Sequence, residues 1–202
     1  MKIKEVVIAS TNKGKIKEFQ EMFQSFGIRV QSLEEFGEIP DIEEDGESFE
    51  ENAKKKAETI SDQLQLPTIA DDSGLMVDAL GGKPGIYSAR FAGEEKNDQK
   101  NIHKLLNMMT SIDMEKRTAQ FVSVIAFAIP GEETIIVRGT CKGMIGYEPK
   151  GEHGFGYDPI FYLPQYKMTM AEIDPTLKNK ISHRAHAIRK LKNKIEYVDL
   201  KS

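Results

Sequence analysis

The sequence predicts an α/β fold with a mixed β-sheet and flanking helices. Apolar strand-like runs alternate with stretches of helical periodicity. One run, "AQFVSVIAFAIP", is apolar on both faces, as an interior strand is. After the turn "GEE" comes "TIIVRGTCKG", which reads as its hairpin partner, so at least one pair is antiparallel and the sheet is mixed.

The elements follow in order. Residues 2–9 form a first strand. Ile16, Phe19, Phe23 and Phe26 recur at helical spacing and predict a helix over 13–26, closed by Gly27. "IRVQSL" is a second strand. Phe49, Ala53, Ala57, Ile60 and Leu64 mark one face of the next helix, which exits at Pro67. "TIA" is a short buried strand expected to end at Asp71, with Asp72 where the chain bends toward Gly74. "GGKPGIYS" reads as a turn-rich loop. A third helix from Asn97 buries Ile102, Leu105, Leu106 and Met109. "GEHGFGYDPIFYLP" is a Gly/Pro/aromatic loop with a short strand at its end. "SHRAHAIRKLKNKIEYV" closes the chain as a basic-sided helix. With no repeat, low-complexity tract or flexible linker, residues 1–202 are expected to form a single domain.

Composition narrows the function classes. The chain has 202 residues, of which 39% are hydrophobic and 30% charged, as in soluble globular proteins. Its net charge of -4 disfavours binding to a nucleic-acid polymer, though local basic clusters can hold a small anion. Cys141 is the only cysteine, which excludes an intrachain disulfide framework or cysteine zinc site and suits a buried, inert thiol. "MKIKEVVIAS" is too short and too soon interrupted for a signal peptide, and no segment approaches a membrane span. A cytoplasmic location and no membrane partner are expected.

Five constellations carry chemistry. In "STNKGKIKEF" a strand meets a polar loop and a helix start, where backbone N–H groups and the helix dipole hold phosphate. Ser10, Thr11 and Asn12 supply donors, Gly14 close approach, and Lys13 and Lys15 charge; the plain alternative is an N-capped helix with solvated lysines. The acidic run from Asp41 to Glu51 could lend a metal ligand or simply be the first turn of a helix, on which Asn52 and Lys56 share a face. Asp71 and Asp72, adjacent after an apolar run, suit a hard cation shared with phosphate oxygens, or else an Asx turn. Arg90, beyond Gly81, Gly82, Pro84 and Gly85, could pair with a carboxylate or a phosphate, an internal salt bridge being slightly favoured. In "GFGYDP" the glycines leave Phe155 little cover, which suits stacking on a base, though a β-bulge with a core phenylalanine is the alternative. Lys178, Ser182, His183 and Arg184 gather donors at the start of the last helix. His103, His153 and His186 lack metal-ligand spacing. Together these groups describe one small-molecule ligand, a nucleoside polyphosphate.

"STNKGKIKE", "ESFEENAKKKA", "IADDSGLMVDALGGKPGIYSARFAG", "GFGYDPIF", "TMAE" and "KNKISHRAHA" occur in that order almost end to end. The chain thereby resembles the inosine triphosphate pyrophosphatase family, the XTP/dITP diphosphatases. The resemblance implies Mg²⁺-dependent hydrolysis of non-standard purine nucleoside triphosphates to the monophosphate and pyrophosphate, by a homodimer whose two lobes flank a central substrate cleft. By position, residues 10 to 15 resemble the triphosphate loop, and Lys56 the phosphate-contacting lysine. Glu44 and Asp72 fall at the metal ligands, Glu43 and Asp45 being one residue away, and Asp72 also at the proton acceptor, with Asp71 close enough to assist. Ser73, Phe155, Gly156, Tyr157, Asp158, Lys178, His183 and Arg184 fall at substrate contacts, Phe155 against the base. Ala185 departs from the family's usual glycine, which touches the shape of the base pocket. The resemblance thus assigns Asp72, Asp71, Lys15 and Lys56 to catalysis. The rivals are a Maf-type pyrophosphatase, against which "GFGYDP" and "SHR" speak, and a nucleotide-binding sensor, which would not need the aspartate pair.

Overall fold

The computed structural model describes residues 3–37 and 42–199. Lys2, expected in the first strand, and Asp41, first of the acidic run, lie outside them. Strands β1 (Glu5–Ile8), β2 (Arg29–Ser32), β3 (Thr68–Val77), β4 (Thr118–Ala128), β5 (Ile135–Ile145), β6 (Phe161–Leu163) and β7 (Met168–Thr169) form, among the described residues, one sheet in the order β2-β1-β3-β4-β5-β6-β7. The helices are α1 (Lys13–Gln24), α2 (Phe49–Leu64), α3 (Asp98–Met108), α4 (Pro175–Ile181) and α5 (His183–Asp199). β1 runs parallel to β2 and to β3, with α1 and α2 in the crossovers that parallel pairing requires. β5–β6 and β6–β7 are antiparallel, and residues 129–134 alone join β4 to its neighbour β5. The mixed α/β sheet with flanking helices is therefore as expected.

Local chemistry sets the helix ends. Asn12, Ser48 and Asn97 cap α1, α2 and α3, their side chains accepting from the backbone N–H of Lys15, Glu51 and Lys100. α1 stops at Gln24, two residues short of expectation, and Gly27 at φ 72° turns the chain toward β2. The second half of the expected 81–88 loop winds into a 3-10 helix, Gly85–Arg90. Met168–Thr169 and Pro175–Ile181 carry a strand and a helix that the periodicity did not indicate.

The largest departure is at β3. The expected strand end at Asp71 does not occur: β3 continues through Asp71, Asp72 and Gly74 to Val77, and Gly74 makes no bend. A carboxylate inside a strand is tolerated when cations neutralise it, as they do here. Lys178 also lies on α4 rather than at the start of the last helix, because Ser182 is extended and separates α4 from α5.

The chain divides into two compact units. The first comprises Met1–Asp72, Ser123–Gly139 and Arg184–Ser202, and the second Ser73–Val122 and Thr140–His183. Each has its own apolar core. The first packs Ile8, Phe19, Phe23, Ile69, Ile125, Phe127, Ile188 and Leu191, so the α1 and α5 stripes cover the same sheet face. The second packs Leu75, Leu105, Met109, Phe121, Ile160 and Phe161, with the Phe121 and Phe161 ring centroids 4.4 Å apart. Among the described residues no helix is long and apolar enough to cross a membrane.

Arg117 pins the second unit. Only 1% exposed, it donates from Nε to the Ile145 carbonyl at 2.8 Å, from Nη1 to Met109 at 2.7 Å and from Nη2 to Gly146 at 2.8 Å. The α3 exit and the end of β5 thus share one donor set. Replacing Arg117 by Met leaves those carbonyls without their donor, at about 1–3 kcal/mol for each that finds no other partner. The urea midpoint of Arg117→Met is expected to report a loss of at least ~2 kcal/mol. An unchanged midpoint would show that the carbonyls are served by other donors.

Candidate active site

Adjacent residues of a strand face opposite sides of its sheet. Asp71 follows Ile69 onto the face covered by α1 and α5, and Asp72 follows Ala70 onto the other. Asp71 is fully enclosed. Its Oδ2 meets Lys15 Nζ of α1 at 2.8 Å and Arg184 Nη2 of α5 at 3.2 Å, while the Ser123 hydroxyl of β4 donates to Oδ1 at 2.5 Å. Arg184, 1% exposed, also pairs with Glu18 of α1. Burial works to raise the Asp71 pKa, but Arg184, Lys15 and Ser123 together hold it well below the usual carboxylate range. For Arg184 burial opposes the charge, and Asp71 and Glu18 outweigh it and raise its pKa. These partners favour the ionised form of Asp71, which suits a fixed charge better than a proton acceptor.

Asp72 is the opposite case. It is 5% exposed, and its Oδ2 is buried with no hydrogen-bond partner among the described residues. Burial pushes its carboxyl up to about 6 against the pull of Lys56 and Lys15; Glu44 adds to the rise and a hydrogen bond with Asn52 reduces it. Asn52 and Lys56 do share a face of α2. Asn52 accepts from Gly46 N–H at 2.8 Å, which fixes the acidic loop, and Lys56 Nζ donates to the Asp71 carbonyl at 3.0 Å and pairs with Glu44. Of the three neighbouring acids only Glu44 reaches this group: Asp45 pairs with exposed Lys55 at 2.6 Å, and Glu43 is exposed.

The loop before α1 keeps part of its plain role. Asn12 is the cap, and its own N–H donates to Ser10 Oγ at 3.2 Å. Thr11 and Lys13 are exposed, Ser10 and Gly14 half-buried, and of the two lysines only Lys15 turns toward the aspartates.

In the second unit, residues 154–158 form a tightly pinned loop. Gly154 and Gly156 adopt φ of 79° and 60°. A Cβ at Gly154 would meet Asp158 Oδ2 at 2.1 Å. Asp158 is buried; its Oδ2 accepts from Phe155 N–H at 2.9 Å and pairs with Lys178 Nζ at 2.6 Å. The same ammonium lies 4.9 Å from the Phe155 ring centroid. Asp158 and Lys178 therefore build the seat of a half-buried Phe155. Tyr157 is buried and donates its hydroxyl to the Ser88 carbonyl at 2.8 Å; burial, then Asp98, raises its pKa. His183 is buried and stacks on Phe121, with ring centroids 4.8 Å apart and planes 19° apart. Ser73 is half-buried in β3.

Two sequence expectations change. Arg184, expected to present donors to a substrate, pairs with Glu18 and Asp71 on the covered face of the first unit. Ala185 lies in the first unit's apolar core, 2% exposed, so the departure from glycine bears on packing. Glu18 and Ser123 were missed, because a lone acid in an amphipathic helix and a lone serine in an apolar strand carry no local signal. Arg90 stacks over Tyr87 at 5.2 Å. Cys141 is buried and its thiol is pushed up to about 11, chiefly by burial, as an inert thiol should be.

Curated relatives share this chain over nearly their full length. The dITP/XTP pyrophosphatase of Geobacillus kaustophilus is 54% identical, covering 97% of this chain and 96% of its own. That of Shouchella clausii is 55% identical over 96% and 98%. Among solved structures, the Ham1 protein of Staphylococcus aureus superposes with a TM-score of 0.85 at 48% identity, covering 96% of this chain and 98% of its own. The HAM1 protein of Coxiella burnetii gives 0.86 at 42% identity, over 96% and 100%. The Ham1 family pattern matches residues 6–194, and with full-length relatives above 50% identity the chain belongs to the Ham1 family.

Proposed function

We propose that this chain is a hydrolase that converts the non-standard purine nucleoside triphosphates ITP, dITP and XTP to the monophosphate and pyrophosphate, clearing them from the nucleotide pool. The names of its full-length relatives support the reaction class. The observation that carries the chemistry is the buried Asp72 Oδ2, without a hydrogen-bond donor among the described residues and flanked by Lys15 and Lys56.

A hard divalent cation fits these residues. Lys15, Lys56 and Arg184 oppose Asp71, Asp72, Glu18 and Glu44, which leaves one negative charge when Asp72 is ionised. No group of three or more His, Cys, Asp and Glu capable of holding a metal occurs among the described residues, so the donor set is too small for a closed cage. It suits Mg²⁺, which takes one or two carboxylates and completes its shell with water and phosphate oxygens. Asp72 and Glu44 would hold it, and its charge lowers the pKa of bound water and offsets charge developing on the phosphates.

The chain's own groups do the rest. Asp72 orients and deprotonates the water that attacks the α-phosphorus in line. Lys15, held by Asp71, and Lys56, held by Glu44, present their charge to the triphosphate and stabilise the leaving pyrophosphate. Ser10, Thr11, Asn12, Lys13 and Gly14 offer backbone and side-chain donors at the α1 start. Lys178 lies 4.9 Å from the Phe155 ring centroid, and a planar base stacks on this ring. His183 supplies a donor that matches a 6-carbonyl, whereas a 6-amino group leaves a buried donor unpaired at about 1–3 kcal/mol. A cytoplasmic homodimer belongs to the same reading, and its mass in solution, about twice 22.8 kDa, is the readout.

With Mg²⁺, ITP, XTP and dITP should release pyrophosphate, ATP should lag by about tenfold or more, and a chelator should stop all release. ATP turned over as well as ITP would sink the base-selection argument, and release of free phosphate would sink the reaction. Asp72→Asn should lower turnover by about 10²-fold or more.

The same variant reports on charge. The folded carboxyl titrates at about 6 against 3.8 for a free Asp, so between those values the folded state keeps a proton that the unfolded chain releases. The stabilising contribution is full below the unfolded value and is lost as pH rises through about 6. In chelator, Asp72→Asn should therefore be more stable than the wild type near pH 8, by on the order of 2–3 kcal/mol, with the gap closing near pH 4. Added Mg²⁺ should raise the melting midpoint of the wild type and leave that of Asp72→Asn unmoved. A variant less stable than the wild type at both pH values would contradict the placement of an uncompensated charge at Asp72.

A further inference from the structure

The 154–158 loop is held from outside as well as from within. Phe155 N–H goes to Asp158 and the Asp158 N–H to the Phe155 carbonyl at 3.2 Å, both inside the loop. Gly156 N–H instead reaches the side chain of Asp98 on α3, 58 residues away in sequence, at 2.7 Å. Asp98 thus gives the N–H of Gly156, at φ 60°, an acceptor from another element. Asp98 is the first residue of α3, directly after the cap Asn97.

α3 is itself tied to the segment that seats Tyr157. Asn101, one turn on from Asp98 and 2% exposed, donates to the Ala89 carbonyl at 2.9 Å and accepts from Ala92 N–H at 2.7 Å. Ser88 receives the Tyr157 hydroxyl on its carbonyl, and its own hydroxyl accepts from Leu75 N–H at 2.9 Å. The ring that the proposed reading stacks against a base is therefore flanked by two residues, Gly156 and Tyr157, each anchored to the 88–101 segment.

We infer that Asp98 is a positioning residue for base recognition: by accepting the Gly156 N–H it fixes the peptide that carries Phe155 and sets the ring before substrate arrives. The inference rests on the proposed reading, in which Phe155 meets the base. Asp98 touches no reacting atom. Its loss lets the turn relax, and a ring that must be ordered on binding costs affinity and not chemistry. The charged acceptor makes this hydrogen bond stronger than a neutral one.

The test compares wild type, Asp98→Ala and Asp98→Asn with ITP as substrate and inorganic tripolyphosphate, which has no base, as competing inhibitor. Asp98→Ala should raise KM for ITP about tenfold, with kcat within about twofold and tripolyphosphate inhibition unchanged. Asp98→Asn keeps an acceptor oxygen and should restore most of the loss. Both variants remove the acidic charge from the first turn of α3, so any dipole effect on the helix cancels between them. A KM for Asp98→Ala equal to that of the wild type overturns the inference, as does equal impairment of both variants or a parallel weakening of tripolyphosphate. A wild type that leaves ITP intact sinks the reading of function itself, whereas an active wild type with an unaltered Asp98→Ala sinks only the anchor.

Discussion

The first unit depends on the neutralisation of one carboxylate inside a strand. Asp71 stands in β3 between β1 and β4 with essentially no exposure, where an unpaired charge costs several kcal/mol. Lys15, Arg184 and Ser123 meet it from α1, α5 and β4. These partners belong to the three separate stretches of chain that compose the unit, Met1–Asp72, Ser123–Gly139 and Arg184–Ser202. The apolar core holds the same stretches together without fixing their register, since apolar contacts are nondirectional. The buried hydrogen bonds to Asp71 do have direction, and Glu18 completes them by taking the other side of Arg184. Removing Lys15, Arg184 or Glu18 would unbalance the buried charges, and removing Ser123 would take a hydrogen bond from Asp71 Oδ1.

That network also explains the pair. Side by side, Asp71 and Asp72 look like mutual repulsion, but the pleat sends them to opposite faces, each with different partners. Asp71 absorbs Arg184 and most of the influence of Lys15. Asp72 keeps Asn52 and a share of two lysines, and Glu44 counts against it. One carboxylate is thus held firmly ionised and the other is held near the point of accepting a proton. Environments that push like groups apart in pKa mark sites of proton chemistry.

Much of this was legible in the sequence, and the limits have physical causes. Phe19 and Phe23, or Ala53, Ala57 and Ile60, announce their helices because burial imposes a period of 3.6 on apolar residues. The doubled aspartate announces a site because its bland explanation is costly. The extent of β3 was not legible, since a carboxylate normally ends a buried strand and its neutralising partners, Ser123 and Arg184, lie 52 and 113 residues away. Likewise Lys178 and Asp158 read as substrate contacts because their chemistry suits one. Only their 2.6 Å separation shows that each is occupied by the other.

The loop at 154–158 shows what such pairing does for recognition. A flexible turn bearing an exposed ring would have to be ordered by its ligand, at a cost of about 1–2 kcal/mol for each backbone residue fixed. Here the ordering is done during folding. Gly154 and Gly156 permit the left-handed turn, Asp158 and Asp98 take its N–H groups, and Tyr157 ties it to Ser88. If Phe155 meets a base as proposed, a ring so fixed responds to that base's shape and edge chemistry, because it cannot move to accommodate a poor one. In the proposed reading, rigid placement of Phe155 and a donor for the base edge are two halves of one selectivity. Stacking accepts any planar base, and discrimination falls to the polar groups that the rigid ring holds in register.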